Sequence, residues 1–385
     1  MKNKLFILAL CAAAIQGCSK VDDYLLGKDN TPKPKELAAI QDKVKVAQNW
    51  TVAVGKSSKN REYLRLKPAI RGGIIYTADA SGLVHAVNQR DGQIKWTIQL
   101  KHNLVSGPTI ANGYIAVGTS NSSLVLLNQA DGKKLWQNKV SGEILSPPAI
   151  THKKVIAKTI DGKVYAFNAV DGKQVWMSEH GSPSLVLKAS SSPVVVGNLV
   201  LIGFSDGKMD AIDVNSGRLV WQRSIAYASG SSDVERLVDI DADPIVEGDV
   251  AYLASYQGYI GALSLSNGQF IWRKPGSVYK NMLSSGNTLY VSDSHDVLWS
   301  LNKQNGQVNW KQKVLKARGL TEPALVGKDL VVGDKTGYLH FIDAQTGEML
   351  GRYKASSGVS ISPSVVGRRL YVLTDNGMLN QLSVS

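Results

Sequence analysis

The sequence predicts an all-β chain, an eight-bladed antiparallel β-propeller whose N-terminal strand closes the last blade. Three observations carry this. A polar turn followed by a bulky position recurs seven times, as DGQIKW, DGKKLW, DGKQVW, SGRLVW, NGQFIW, NGQVNW and TGEMLG, ending at Trp96, Trp136, Trp176, Trp221, Trp272, Trp310 and Gly351. Trp50 in QNWTVAVG stands one period upstream without its turn, and the successive spacings are 46, 40, 40, 45, 51, 38 and 41 residues. Eight further segments of the type TADASGLVHAVN or GFSDGKMDAID, each a turn opening an apolar run, interleave with the tryptophan strands. A fixed internal period of this length argues for one closed array instead of two or three ordinary domains.

The chain opens on an address. Lys2 and Lys4 give a positive start, and Leu5 to Ile15 is an apolar run too short for a stable membrane span, so residues 1–17 read as a lipoprotein signal peptide. Its end, Ile15-Gln16-Gly17-Cys18, resembles a bacterial lipobox. That resemblance implies an acylated Cys18 at the head of the mature chain, and Ser19 after it implies the outer membrane; an ordinary signal peptide with an incidental Cys is the alternative. Cys11 lies in the removed segment, so Cys18 has no internal disulfide partner. Residues 18–44 hold KDNTPKPKEL, with Pro32 and Pro34, and read as a flexible tether carrying the acyl group.

Residues 45–385 read as the propeller. In the copy from Gly107 to Trp136, runs rich in Val, Ile and Leu are separated by NG, SNSS and DG, which are strand and hairpin signals. Each unit then has four strands, a to d, with the Trp on d. The first d strand, at Trp50, precedes the first c strand, and the last c strand, near Leu379, has no d strand after it. A ring completed by the N-terminal strand solves both and removes most open sheet edges. The tryptophans have two readings: wedges between neighbouring blades, or stacking platforms for a quinone or a sugar. Their single register suits the wedge. Trp299, on strand c, is out of that register, and packing is its expected role as well.

Composition supplies apolar material for a sizeable core, with 43% hydrophobic and 19% charged residues. The net charge of +13 favours anionic membrane surfaces or acidic protein faces, and without an arginine-rich run nucleic acid is not an expected partner. The six histidines, His85, His102, His152, His180, His295 and His340, are scattered, so no metal site is expected. Gly55-Lys56-Ser57 lacks the Gly five residues earlier that a phosphate loop needs. Asp161, Asp206 and Asp375 adjoin Gly or a Gly-containing turn and read as turn residues.

The repeat of N or D, two residues, D or N, G, K or Q, two residues, W resembles the quinoprotein-type propeller repeat. That family holds quinone-dependent dehydrogenases and also non-enzymatic members. The enzymes carry a Ca²⁺ cage, in many with adjacent cysteines beside the cofactor; this chain has no adjacent cysteines and lacks long insertions. The expectation is therefore a non-enzyme without cofactor. A dehydrogenase-like enzyme and a glycan-binding propeller are the alternatives.

Differences between repeats point to the working surface. The connection from the d-strand Trp to the opening of strand b is 17 residues from Trp96 and from Trp136, but 22 from Trp176 and 28 from Trp221. Insertions in repeat arrays gather on one face. The two long connections contain PSLVLK and ERLVDIDADP, apolar residues with charges beside them, which suits a protein-docking patch; the alternative is that the apolar residues fold inward and the acids cap turns.

Lipobox, tether, eight repeats, PSLVLK and ERLVDID together resemble the lipoprotein subunits of the outer-membrane β-barrel assembly machinery. The resemblance covers nearly the whole mature chain. It implies an outer-membrane lipoprotein facing the periplasm, monomeric within its complex, that binds periplasmic domains of the barrel-forming subunit and also unfolded substrates. In that family two leucines and an arginine on the first long loop, and two aspartates on the second, bind the partner. At this chain's matching positions these are Leu185, Leu187, Lys188, Asp239 and Asp241. Lys188 keeps the charge of the family's arginine but not its two-pronged donor geometry.

Overall fold

The structure is a computed structural model that describes residues 32–55, 64–183, 190–227, 231–232 and 236–385. The chain divides into two units, Met1–Pro34 and Lys35–Ser385. Of the first, residues 32–34 are described and are exposed; the signal peptide and Cys18 lie outside the described residues. No helix among the described residues is long and apolar enough to cross a membrane.

Among the described residues of the second unit every regular element is a strand, and the strands form eight four-stranded antiparallel sheets arranged as the blades of a propeller. Blade 1 is Ala69–Arg71, Ile74–Ala78, Leu83–Asn88 and Ile94–Gln99, strands a to d in chain order. Blades 2 to 7 repeat this order, starting at Leu104–Ala111 and ending at Met349–Lys354. Blade 8 takes strands a to c from Ser364–Val366, Arg369–Leu373 and Met378–Val384, and its d strand is Val46–Ala53. The expected closure is thus present: Val46 lies opposite Val384, and Ala53 opposite Met378.

Position within a blade decides the pattern along each strand. Strands b and c are covered by blades on both sides, so in blade 1 their interior residues are buried without alternation. Strand d stands at the rim and alternates between exposed and half-buried.

The recurring motif is a turn with its own internal bonds. In blade 1 the side chain of Asn88 accepts from Arg90 N–H at 2.9 Å and that of Asp91 accepts from Gln93 N–H at 3.0 Å. Gly92 between them has φ +75°, a left-handed conformation that costs a Cβ-bearing residue energy. This Gly has a second task. A Cβ on it would stand 2.8 Å from the Trp50 ring of the preceding blade, and Gly132, Gly172, Gly217, Gly268, Gly306 and Gly347 face Trp96, Trp136, Trp176, Trp221, Trp272 and Trp310 in the same way. Each indole therefore lies on the glycine turn of the next blade. Five of them also donate Nε1–H to a backbone carbonyl there, as Trp176 does to Val214 at 3.0 Å. The wedge reading of the tryptophans is the observed one. Trp50, in the closing blade, keeps the glycine contact, while its Nε1 has no hydrogen-bond partner among the described residues.

The seventh repeat, which ends in Gly351, follows a different rule. Across the sheet Trp96, Trp176, Trp221 and Trp272 stand opposite Ala86, Ala166, Ala211 and Ala262, but Gly351 stands opposite Phe341. The outer side of Gly351 is taken by the N-terminal segment, since a Cβ there would lie 3.1 Å from Asp42 Oδ1 and 3.6 Å from Val44 Cβ. That segment is bonded to the ring at several points. Lys43 N–H donates to Leu350 O at 2.6 Å, Arg352 N–H to Asp42 Oδ1 at 3.0 Å, Arg352 Nη1 to Ala38 O at 2.7 Å and Lys35 N–H to Lys316 O at 3.1 Å. Leu37 packs with the core cluster of Leu315, Leu320 and Leu330. The reading of residues 18–44 as a flexible tether needs correction over residues 35–44, which pack on blade 7 because a missing indole leaves room for them.

Replacing Trp176 by Ala removes a buried indole and its hydrogen bond, for a loss of about 3–5 kcal/mol. Val170→Ala at a 77% exposed turn position changes stability by less than about 0.5 kcal/mol. Urea denaturation of the two variants checks the contrast.

Candidate partner-binding face

Because adjacent strands are antiparallel, the b-to-c turns and the d-to-a connections open on one face of the ring. Two connections on that face are the long ones, from Glu179 to Val194 between blades 3 and 4, and from Ser224 to Ile245 between blades 4 and 5. Leu185, Leu187 and Lys188, on the first, lie outside the described residues. The second can be followed at residues 225–227, 231–232 and 236–244.

The apolar residues of the second connection turn inward. Leu237, Val238 and Ile240 are buried, and Ile240 joins Leu201, Ile225 and Leu253 in the core between blades 4 and 5. Gly203 provides the room: a Cβ there would stand 2.4 Å from Ile240 Cγ2. Removing these aliphatic side chains from water outweighs leaving them at a loop tip.

Asp239 and Asp241, expected on an exposed docking patch, are buried as well, at 0% and 1% exposure. The expectation of a surface position is therefore corrected. Their place is explained by two cations brought from elsewhere in the ring, Lys158 on blade 3, whose charge acts on both acids, and Arg65 ahead of blade 1, whose charge acts on Asp241. Burial drives Asp241 up and Lys158 down, each toward its neutral form, and their mutual attraction opposes both shifts. Lys158 Nζ also donates to Gly203 O at 2.5 Å and lies 4.9 Å from the Phe204 ring centre. The backbone of the acidic run is tied too, with Tyr256 N–H donating to Asp239 O at 2.8 Å.

Arg65 joins the two long connections. Its Nη1 donates to Ser190 O of the first connection at 2.6 Å and to Asp241 O of the second at 3.0 Å, while Nη2 pairs with Asp243 at 2.7 Å. Asp243 in turn accepts from Ser192 N–H at 2.6 Å and from Asn281 Nδ2 at 3.1 Å. Arg65 itself is anchored on blade 2, where its N–H donates to Val105 O and its carbonyl accepts from Gly107 N–H. A side chain from the blade 1–2 sector thus clasps loops of blades 3 to 5. A cavity of about 310 Å³ opens beside the clasp, lined among others by Arg65, Asp243, Tyr279, Lys280, Asn281 and Glu322. Tyr227, at 64% exposure, projects from the second connection.

A second charged cluster supports the first connection at its start. His180 stacks on Phe204 with ring centres 3.8 Å apart, and its two nitrogens meet Asp210 at 2.7 Å and Asp206 at 3.1 Å. Burial works against a charged imidazole here, but hydrogen bonds and attraction from the two carboxylates win and raise its pKa to about 9. Asp206, expected as a turn residue, does bind Lys208 N–H in its turn at 3.2 Å and serves His180 as well. Among the described residues no three His, Cys, Asp or Glu side chains gather as a metal ion requires.

Sequence reading located both long connections but missed Arg65, Lys158 and His180. Asp243 was visible in the acidic run DIDAD. Arg65 carried no signal, because its carboxylate partner is 178 residues away.

The charged His180 yields a stability effect with a definite sign. Its folded pKa of about 9 exceeds the ordinary 6.5, so the stabilisation is complete below pH 6.5 and is lost as the pH rises through 9. The difference in melting temperature between the wild type and His180→Gln should accordingly shrink over that interval. A constant difference would remove the ion-pair account.

Comparison with known proteins agrees with this architecture. A family profile described as outer membrane protein assembly factor BamB matches residues 47–137, 80–312 and 313–385. Outer membrane protein assembly factor BamB of Legionella pneumophila (strain Paris) is 71% identical over 385 residues, covering 100% of both chains. The crystal structure of BamB from Moraxella catarrhalis superposes with a TM-score of 0.80 at 24% identity, over 88% of this chain and 100% of that one. A quinohemoprotein alcohol dehydrogenase from Comamonas testosteroni reaches 0.71 at 15% identity, over 88% and 76%. At such identities the two structures speak for the shared ring alone.

Proposed function

The chain belongs to the BamB family of outer membrane protein assembly factors, and we propose that it acts there as a non-enzymatic scaffold whose two long connections hold the periplasmic domains of the barrel-forming subunit. Anchored by acylated Cys18 to the outer membrane and facing the periplasm, a single ring would keep its partner, and unfolded barrel substrates, at the site of insertion. The observation that carries this reading is the clasp. Arg65 and Asp243 tie the described parts of the two connections, at Ser190, Ser192 and Asp241, to each other and to the ring, so these parts are held together ahead of any partner.

The roles within that surface differ. Leu185, Leu187 and Lys188 are proposed as direct contacts, aliphatic anchors with a cation beside them. Asp239 and Asp241 are proposed to serve the same interface from beneath, by holding the second connection against Lys158 and Arg65. Reversing their charge would bury cations among cations, so a reversal would disturb the loop as well as the interface. The non-enzymatic reading draws support from the use of the charged groups, since Arg65, Lys158 and His180 are each engaged by loop or ring partners.

Leu185→Asp combined with Leu187→Asp should reduce co-purification of the barrel-forming subunit at least about tenfold with an unchanged melting temperature. Arg65→Met should weaken it too, through loss of loop order. Undiminished co-purification in both variants would rule out this face.

A further inference from the structure

The positive charge of this chain is unevenly placed around the ring. Residues 265–369, which run from the outer strand of blade 5 into blade 8, carry 14 Lys and Arg against 7 Asp and Glu, whereas residues 64–264 carry 19 against 17. In the same sector three successive blades repeat one arrangement, an aromatic ring on strand c with a cation from strand d of the same blade over it. Arg273 lies 4.9 Å from the Tyr259 ring, Lys311 3.1 Å from Trp299 and Lys354 4.4 Å from Tyr338. In blades 1 to 4 the described residues show one cation over a ring, the buried Lys158 over Phe204.

Trp299, the tryptophan outside the repeat register, belongs to this wall. Its Nε1–H donates to Asp293 Oδ2 at 2.9 Å, which fixes the ring under Lys311. Arg273, Lys311, Lys313, Lys316 and Lys354 are all exposed. Partial desolvation of Lys311, with repulsion from Lys274 and Lys313, lowers its pKa against the pull of Asp293, and an anion over the group would offset that repulsion. The N-terminal segment adds exposed Lys35 and Lys43 beside blade 7.

We propose that the outer wall of blades 5 to 7 is an interaction surface for the anionic phospholipid headgroups of a bilayer. Amphipathic aromatic rings under lysine and arginine suit the headgroup layer, and cations spread across three blades suit an extended anionic plane better than a single pocket-bound ion. Within the ring unit, residue Lys35 is held on the same sector, where its N–H bonds Lys316 and its carbonyl accepts from Arg318. The inference rests on the membrane-bound reading above, and not on the partner assigned to the long connections.

The test uses the full chain with Cys18→Ser, which cannot be acylated, and compares sedimentation with phosphatidylglycerol-containing vesicles and with phosphatidylcholine vesicles. Preference for the anionic vesicles is expected, reduced by salt. Lys311→Glu, Lys313→Glu and Lys354→Glu together should lower it at least about tenfold, while Lys133→Glu, Lys134→Glu and Lys139→Glu on blade 2 should change it less than about twofold. Equal binding to both vesicles, or equal loss in both triple variants, overturns the proposal. Each variant is checked for an unchanged melting temperature and for co-purification of the barrel-forming subunit. Lost vesicle binding with intact co-purification supports a lipid wall. Intact vesicle binding with lost co-purification overturns it and marks the wall as a protein contact.

Discussion

The structure depends on one repeated contact, an indole lying on the glycine turn of the next blade. The contact explains why the turn must be Gly for two reasons at once. Gly217, for example, has φ +71°, and a Cβ on it would stand 2.7 Å from the Trp176 ring. Either requirement alone would tolerate some substitution at a cost. Together they couple the local conformation of one blade to the packing of its neighbour, so that each step round the ring is set in the same geometry. The donated Nε1–H adds direction to a contact that burial alone would leave free to rotate.

Departures from this rule are where the chain does something else. Gly351 gives up the indole, Phe341 fills the inner volume, and residues 35–44 occupy the outer side. The missing tryptophan is therefore a seat for the N-terminal segment. Trp299 is an addition to the pattern, and it sits beneath a cation at the rim. The long connections of blades 3 and 4 are the third departure, and their acidic run is folded back into the ring.

Electrostatics divides the molecule into an inside and an outside. Within the face of the long connections, Asp239, Asp241 and Asp243 meet Lys158 and Arg65 in a nearly closed set of opposite charges. Removing one member would leave a buried partner uncompensated, which is far more costly than losing an exposed pair. Such a network holds loops in place and leaves recognition to what projects from them. At the rim of blades 5 to 7 Arg273, Lys311, Lys313, Lys316 and Lys354 are exposed and the cations exceed the acids, so a large part of the protein's positive field originates there.

The fold was legible in the sequence because its information is local and periodic. Turn residues, the strand after them and the tryptophan lie within about ten residues of one another, and seven copies of the motif average out the ambiguity of any one. Counting c and d strands sufficed to show that Val46–Ala53 must close blade 8. The lengths of the connections were equally visible against the regular ones. Tertiary structure decided which way the loop side chains face and what they meet. ERLVDIDADP reads as charged and apolar residues side by side, and both an outward patch and an inward plug satisfy that pattern. The choice was made by Gly203, which leaves a space for Ile240, and by Arg65 and Lys158, which supply cations from distant positions in the chain. A space and a counter-charge contributed by other blades exist only once the ring has closed, and no local spacing encodes them.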